Sequence, residues 1–165
     1  AEGLPSFRSS LANNYLDTRK VVYHADHVLP VDSAAFGIYL TCKTYLSAGD
    51  EAIIFDPVDF LFRYSVEAVG ATAMAFPTPQ SPEAIDFSSL EQYISAKTKM
   101  ICLCNPLNPT GKVFTKDELK SLGEMAIKHD LIILSDEIWS DIIFAPHAFT
   151  SIASIDEEIK KLNGK

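Results

Sequence analysis

Four short apolar runs, at residues 52–55, 72–76, 99–104 and 131–134, are separated by longer segments with helical spacing of about 8 to 15 residues. A strand buried on both faces reads as such an uninterrupted run, and parallel neighbours need a crossover long enough to hold a helix. The alternation therefore predicts an α/β fold, a mostly parallel sheet with helices on both faces.

Punctuation along the chain refines this order. Residues 1–27 are mixed and polar, with an amphipathic tendency over residues 7–16 that reads as the tail of an upstream helix. Val28 and Leu29 are expected to form a short strand, Pro30 to Asp32 a turn, and residues 33–47 a helix closed at Gly49. Pro57 opens a helix that runs to Val69 and stops at Gly70, and Asp86 or Ser88 caps another that reaches Ile94. Thr115 and Glu118 stand in capping-box spacing ahead of a helix over residues 115–129, and a last helix is expected over residues 156–162. No repeat or linker divides the chain, so residues 28–165 are read as one domain following the N-terminal segment 1–27.

Bulk properties exclude several functions. With 47% hydrophobic and 22% charged residues, 165 residues can bury a sizeable core without disulfides. A net charge of −8 argues against a nucleic-acid partner, because that affinity rests on neutralising phosphates with Lys and Arg. Cys42, Cys102 and Cys104 each lie in an apolar run and read as buried free thiols of a reducing compartment. Cys102 and Cys104 share a strand face with no second ligand pair nearby, so no metal is expected. No membrane span and no signal peptide is recognisable, and the expected location is cytoplasmic.

Two motifs follow apolar runs. Asn105-Pro106-Leu107-Asn108-Pro109-Thr110-Gly111 comes after the third, and Ser135-Asp136-Glu137-Ile138-Trp139 after the fourth. Ligands of such sheets bind just past the carboxyl ends of the strands. The prolines on either side stiffen the loop and hold the Asn108 amide as a donor, although the tetrad alone is also an ordinary turn. Asp136 emerges from an uncharged run, where desolvation raises its pKa unless a cation lies close. A protonated heterocyclic nitrogen supplies such a cation; a helix cap or a structural ion pair is the alternative. Asp32, Ser33 and Ala34 form a turn into a helix whose amides and hydroxyl suit a phosphate, though a lone Ser there is usually only a cap. Phe60 offers a face for a flat ring or a core contact, and Trp139, the single Trp, either closes the site or packs.

In their order and spacing these motifs, over residues 28–155, resemble the large domain of the fold-type I pyridoxal phosphate enzymes, the aspartate aminotransferase superfamily. The stretch from Ala48-Gly49-Asp50-Glu51 to Asp56-Pro57 fits the same pattern. The resemblance implies that Asn108 is the partner of the pyridoxal 3-oxygen and that Asp136, the catalytic carboxylate, holds the pyridinium nitrogen. It places the amides of Asp32, Ser33 and Ala34 in a phosphate cup. Trp139 stands where many members have a Tyr. The family's aromatic two residues after the Pro is Asp59 here, with Phe60 beside it.

The resemblance also implies a Schiff-base lysine some tens of residues beyond the aspartate and an arginine for the phosphate. Lys160, Lys161 and Lys165 lie in a charged segment and do not read as that lysine. The chain is therefore expected to be part of a large domain that ends before it, inactive in isolation. The implied parent is an aminotransferase acting on an amino acid and a 2-oxo acid, a homodimer at full length. A carbon–sulfur β-lyase of the same superfamily is a second reading, suggested by the stretch from Pro146-His147 to Ser154. A noncatalytic doubly wound binding module is a third.

Overall fold

A computed structural model describes residues 2–80, 83–156 and 159. The elements in chain order are α1 (Pro5–Arg19), α2 (Ala34–Tyr45), β1 (Glu51–Asp56), α3 (Phe60–Ala68), β2 (Thr72–Pro77), β3 (Thr98–Cys104), α4 (Lys116–Lys128) and β4 (Ile132–Asp136). The four strands form one parallel sheet in the order β2-β1-β3-β4. This is the predicted α/β architecture.

The strand order locates the crevice. From β1 the chain steps outward to β2, then returns past β1 to β3 and steps the other way to β4. Right-handed crossovers in opposite directions put α3 and α4 on opposite faces. Helix α2 packs on α3, while α4 packs against the 3₁₀ turns Phe87–Tyr93 and Ile152–Ser154. Both faces are covered, which is why β1 and β3 are buried along most of their length. The reversal falls between β1 and β3, and the region past their carboxyl ends is where open α/β sheets bind ligands in a crevice.

Near the end of β1, Phe55 meets Phe76, Phe87 and Phe114 at centroid separations of 6.1, 5.9 and 6.1 Å. Phe87 and Phe114 stack with their planes 8° apart. Edge-on, tilted and stacked rings of this kind add about 0.5 to 1.5 kcal/mol per pair beyond their burial.

Several local expectations are corrected. Val28 and Leu29 form no strand; Ala25–His27 is a single 3₁₀ turn and the chain runs on irregularly to α2, because no neighbouring strand edge is there to pair with it. The helix expected from Pro57 starts at Phe60, since Asp59 accepts from the Leu61 N–H and so becomes its cap. Asp86 does cap the following element, but that element is a 3₁₀ helix, Phe87–Tyr93. The Thr115–Glu118 capping box is present in both directions. Of the helix expected over residues 156–162, only residues 156 and 159 lie within the described set. Among the described residues no helix is long and apolar enough to cross a membrane. The three cysteines are free and buried.

Candidate active site

The loop after β3 is built before it can bind anything. Asn105 is buried: its Oδ1 accepts from the Phe114 N–H at 3.2 Å, and its Nδ2 donates to the Thr150 carbonyl at 3.1 Å. Its backbone N–H donates to the Asp136 carbonyl at 2.9 Å, tying the ends of β3 and β4 together. Leu107 and Lys112 then pair as an antiparallel bridge, and Gly111, at φ +74°, turns the chain between them. Only Gly adopts that conformation without strain. Below the loop the buried Lys112 ammonium meets Glu118 at 2.8 Å, and Glu118 also accepts from the Ile85 N–H. The loop is held at both ends, with Asn108 at its tip.

From that tip Asn108 reaches across the strand reversal. Its Nδ2 donates to Asp59 Oδ2 at 2.9 Å, so the residue after β3 and the residue after β1 bridge the crevice. Asp136 lies on the other side, at the end of β4, partly buried, with Oδ1 accepting from the Ile138 N–H at 3.0 Å. Burial raises its carboxyl pKa above the usual range; the Ile138 N–H opposes this, and the Asp59 carboxylate adds to it. Among the described residues no cation is paired with Asp136. The thiol of Cys104, at the end of β3, is pushed up to about 12, by burial first and then by Asp136 and Asp59 against the opposing Asn108 N–H. Asp59 and Asp136 thus both act electrostatically on this thiol, from the ends of β1 and β4 on either side of β3.

The other predicted residues are placed less tightly. Ser33 is exposed and caps α2, its Oγ accepting from the Phe36 N–H at 3.2 Å, which leaves its own O–H free to donate. With Asp32 and Ala34 it forms the amino end of α2, where the first amides have no intrahelical acceptor. Phe60 is 64% exposed and meets Tyr64 edge-on at 5.4 Å, so it is not the core residue of the alternative reading. Trp139 sits in the turn after β4, 45% exposed, its carbonyl accepting from the Ile142 N–H. Sequence reasoning made Asp59 only a departure from a pattern; its position three residues after Asp56 and just before Phe60-Leu61-Phe62 carries a helix-cap signal that could have found it.

A second buried cluster lies behind Asp136. Arg19, the last residue of α1, pairs with Glu137 at 3.3 Å, donates to Ser140 Oγ, and spreads over the rings of Tyr15 and Phe149 at 4.9 and 5.7 Å. Ser151 Oγ donates to Glu137 Oε1 at 2.6 Å. The N-terminal helix is thereby latched to the segment that carries Asp136.

The model of the aminotransferase class I and II family matches residues 1–163, and the chain belongs to that family. A relative named probable kynurenine–oxoglutarate transaminase, from Saccharomyces cerevisiae, is 33% identical over 97% of this chain and 38% of its own length. The aspartate aminotransferase of Geobacillus stearothermophilus is 29% identical over 96% of the chain and 40% of its own length. Among solved structures, Bna3p from Saccharomyces cerevisiae superposes with a TM-score of 0.90 at 34% identity, covering 98% of this chain and 40% of that one. The chain thus spans about 40% of the length of the proteins it resembles.

Proposed function

We propose that the protein to which this chain belongs transfers an amino group from an amino acid to a 2-oxo acid with pyridoxal 5′-phosphate. Residues 28–165 then serve as the cofactor-holding part of its large domain. The observation that carries this reading is Asp136: a carboxylate at a strand end, raised by burial and without a cation among the described residues. Such a group is satisfied by a protonated ring nitrogen, and the chemistry of the donors around it fits the same ligand. A PLP-bound protein from Clostridium difficile 630, 31% identical with a TM-score of 0.88, supports the choice of cofactor.

In this reading Asp136 would hold the ring nitrogen and keep it protonated. Asn108 donates to the 3-oxygen, and the amides of Asp32, Ser33 and Ala34 receive the phosphate at the positive end of α2. Phe60 and Trp139, both exposed, would offer the ring aromatic faces. The bound cofactor supplies the electron sink for chemistry at the amino acid's α-carbon. The chain's own contribution would be to keep a proton on the ring nitrogen through Asp136 and to orient the ring through Asn108.

We further assign the working form to a homodimer in the cytoplasm; the three buried free thiols support the compartment. The test is a transamination assay on the holoenzyme, following formation of a new amino acid from a 2-oxo acid. Asp136→Asn should lower turnover on the order of 100-fold or more. Release of thiol, ammonia and pyruvate without any need for an acceptor acid would instead assign the β-lyase reaction.

A further inference from the structure

We propose that Asp59 is a positioning residue that orients the Asn108 amide for the cofactor, a role that rests on the cofactor reading above. The two oxygens of Asp59 have separate partners: Oδ1 takes the Leu61 N–H at 3.0 Å, and Oδ2 takes the Asn108 side chain at 2.9 Å. An ionised carboxylate only accepts, so the Asn108 group facing it has to be the nitrogen. That settles which way round the amide sits, independently of how its nitrogen and oxygen are assigned. One hydrogen of Nδ2 is spent on Asp59, and the second is left for an acceptor on the ligand.

The contact joins two segments that are far apart in sequence, one following β1 and the other following β3, where the strand order reverses. Asp59 is itself held by the first turn of α3, so it is a fixed reference point and not a mobile side chain. A carboxylate is also the one group of this size that can cap the helix and accept from Asn108 together. Asn in its place has one acceptor oxygen instead of two: that oxygen keeps the cap, at which Asn and Asp serve equally, and the NH2 group that replaces Oδ2 presents an N–H to Asn108. The amide of Asn108 then loses its fixed sense and can turn its oxygen toward the ligand. Asp59→Asn therefore separates the two duties.

The experiment uses the full chain and two probes that lack an aldehyde and cannot react with lysines, pyridoxine 5′-phosphate and its 3-deoxy analogue. In Asp59→Asn the thermal midpoint should stay within about a degree or two, as a conserved cap implies. Affinity for pyridoxine 5′-phosphate should fall about tenfold, the scale of one lost hydrogen bond to a ligand, while affinity for the 3-deoxy probe stays unchanged. The Asn108 side-chain amide resonances should move when Asp59 is replaced by Asn. Equal losses for both probes, or amide resonances indifferent to the substitution, overturn the role of Asp59. If the parent chain prefers the 3-hydroxyl probe and Asp59→Asn keeps that preference, the cofactor reading stands and the Asp59 assignment alone fails. If the parent chain binds neither probe while Asn108 still reports Asp59, the cofactor reading fails, and Asp59 is only a cap with a neighbour.

Discussion

Arg19 and Glu137 face each other at 3.3 Å with side chains only 9% and 8% exposed, one at the end of the first helix and the other next to Asp136. The two facing atoms, Nε and Oε2, make no hydrogen bond, so the pair is held by charge in a setting that water does not reach. Burial raises the Glu137 carboxyl, and Ser151, Arg19 and Ser135 work against that rise. The pairing fixes the backbone that presents Asp136, from a helix far away in sequence.

Removing one partner should be much worse than removing both. Arg19→Met leaves Glu137 as an unpaired buried acid, and we expect a loss of about 3 to 5 kcal/mol in urea unfolding. The double substitution Arg19→Met with Glu137→Gln should recover most of it, because neither residue then carries an uncompensated charge. Additive losses in the double variant would show that the two residues are not coupled.

Asp136 should be a liability for the cofactor-free chain. Its folded pKa is raised above the ordinary 3.8, so the folded state binds the proton more tightly, and stability declines as pH rises through the interval between the two values. We expect Asp136→Asn to gain up to about 1 kcal/mol near neutral pH, since the new amide oxygen can still accept from the Ile138 N–H. The gain should vanish below about pH 3, where the parent carboxyl is protonated as well. Unfolding curves across pH measure this, and a destabilised variant at neutral pH would refute it.

Glu118 should behave with the opposite sign. Burial by itself lifts its carboxyl, but the Lys112 ammonium, the N–H groups of Ile85 and Thr115 and the Thr115 hydroxyl outweigh that and hold it below the ordinary 4.5. Its contribution is therefore complete above the unfolded value and is lost as pH falls through the folded one. Glu118→Gln should lose about 3 kcal/mol near neutral pH by leaving the Lys112 ammonium unpaired, and should flatten the acid limb of the stability curve.

Thr115→Ala tests the capping box alone. The Thr115 hydroxyl accepts from the Glu118 N–H at 3.2 Å and donates to the Glu118 carboxylate at 3.0 Å. We expect a loss of about 1 kcal/mol, read from denaturant midpoints at constant slope. A Thr115→Ser variant should retain most of that stability.

Most of the sheet was legible in the sequence because strands buried on both faces have to be apolar, and the runs at 52–55, 72–76, 99–104 and 131–134 have no other use. Caps with a local signal, such as Thr115 with Glu118, were legible for the same kind of reason. Val28 and Leu29 misled because two apolar residues make a strand only if an edge is free to receive them. The 3₁₀ form of Phe87–Tyr93 also had no marker distinguishing it from an α-helix.

By itself, then, the sequence determined which residues stand at the strand ends: Asn108 after one apolar run, Asp136 after another, Ser33 at a helix start. Those positions follow from periodicity and punctuation, which act over a few residues. Only the tertiary structure decided that Asp59 takes the Asn108 amide and that Arg19 latches onto Glu137. Both contacts arise from strand order and crossover direction, which bring distant segments together. No pattern along the chain encodes a pairing whose energy appears only after the sheet has closed and water has left.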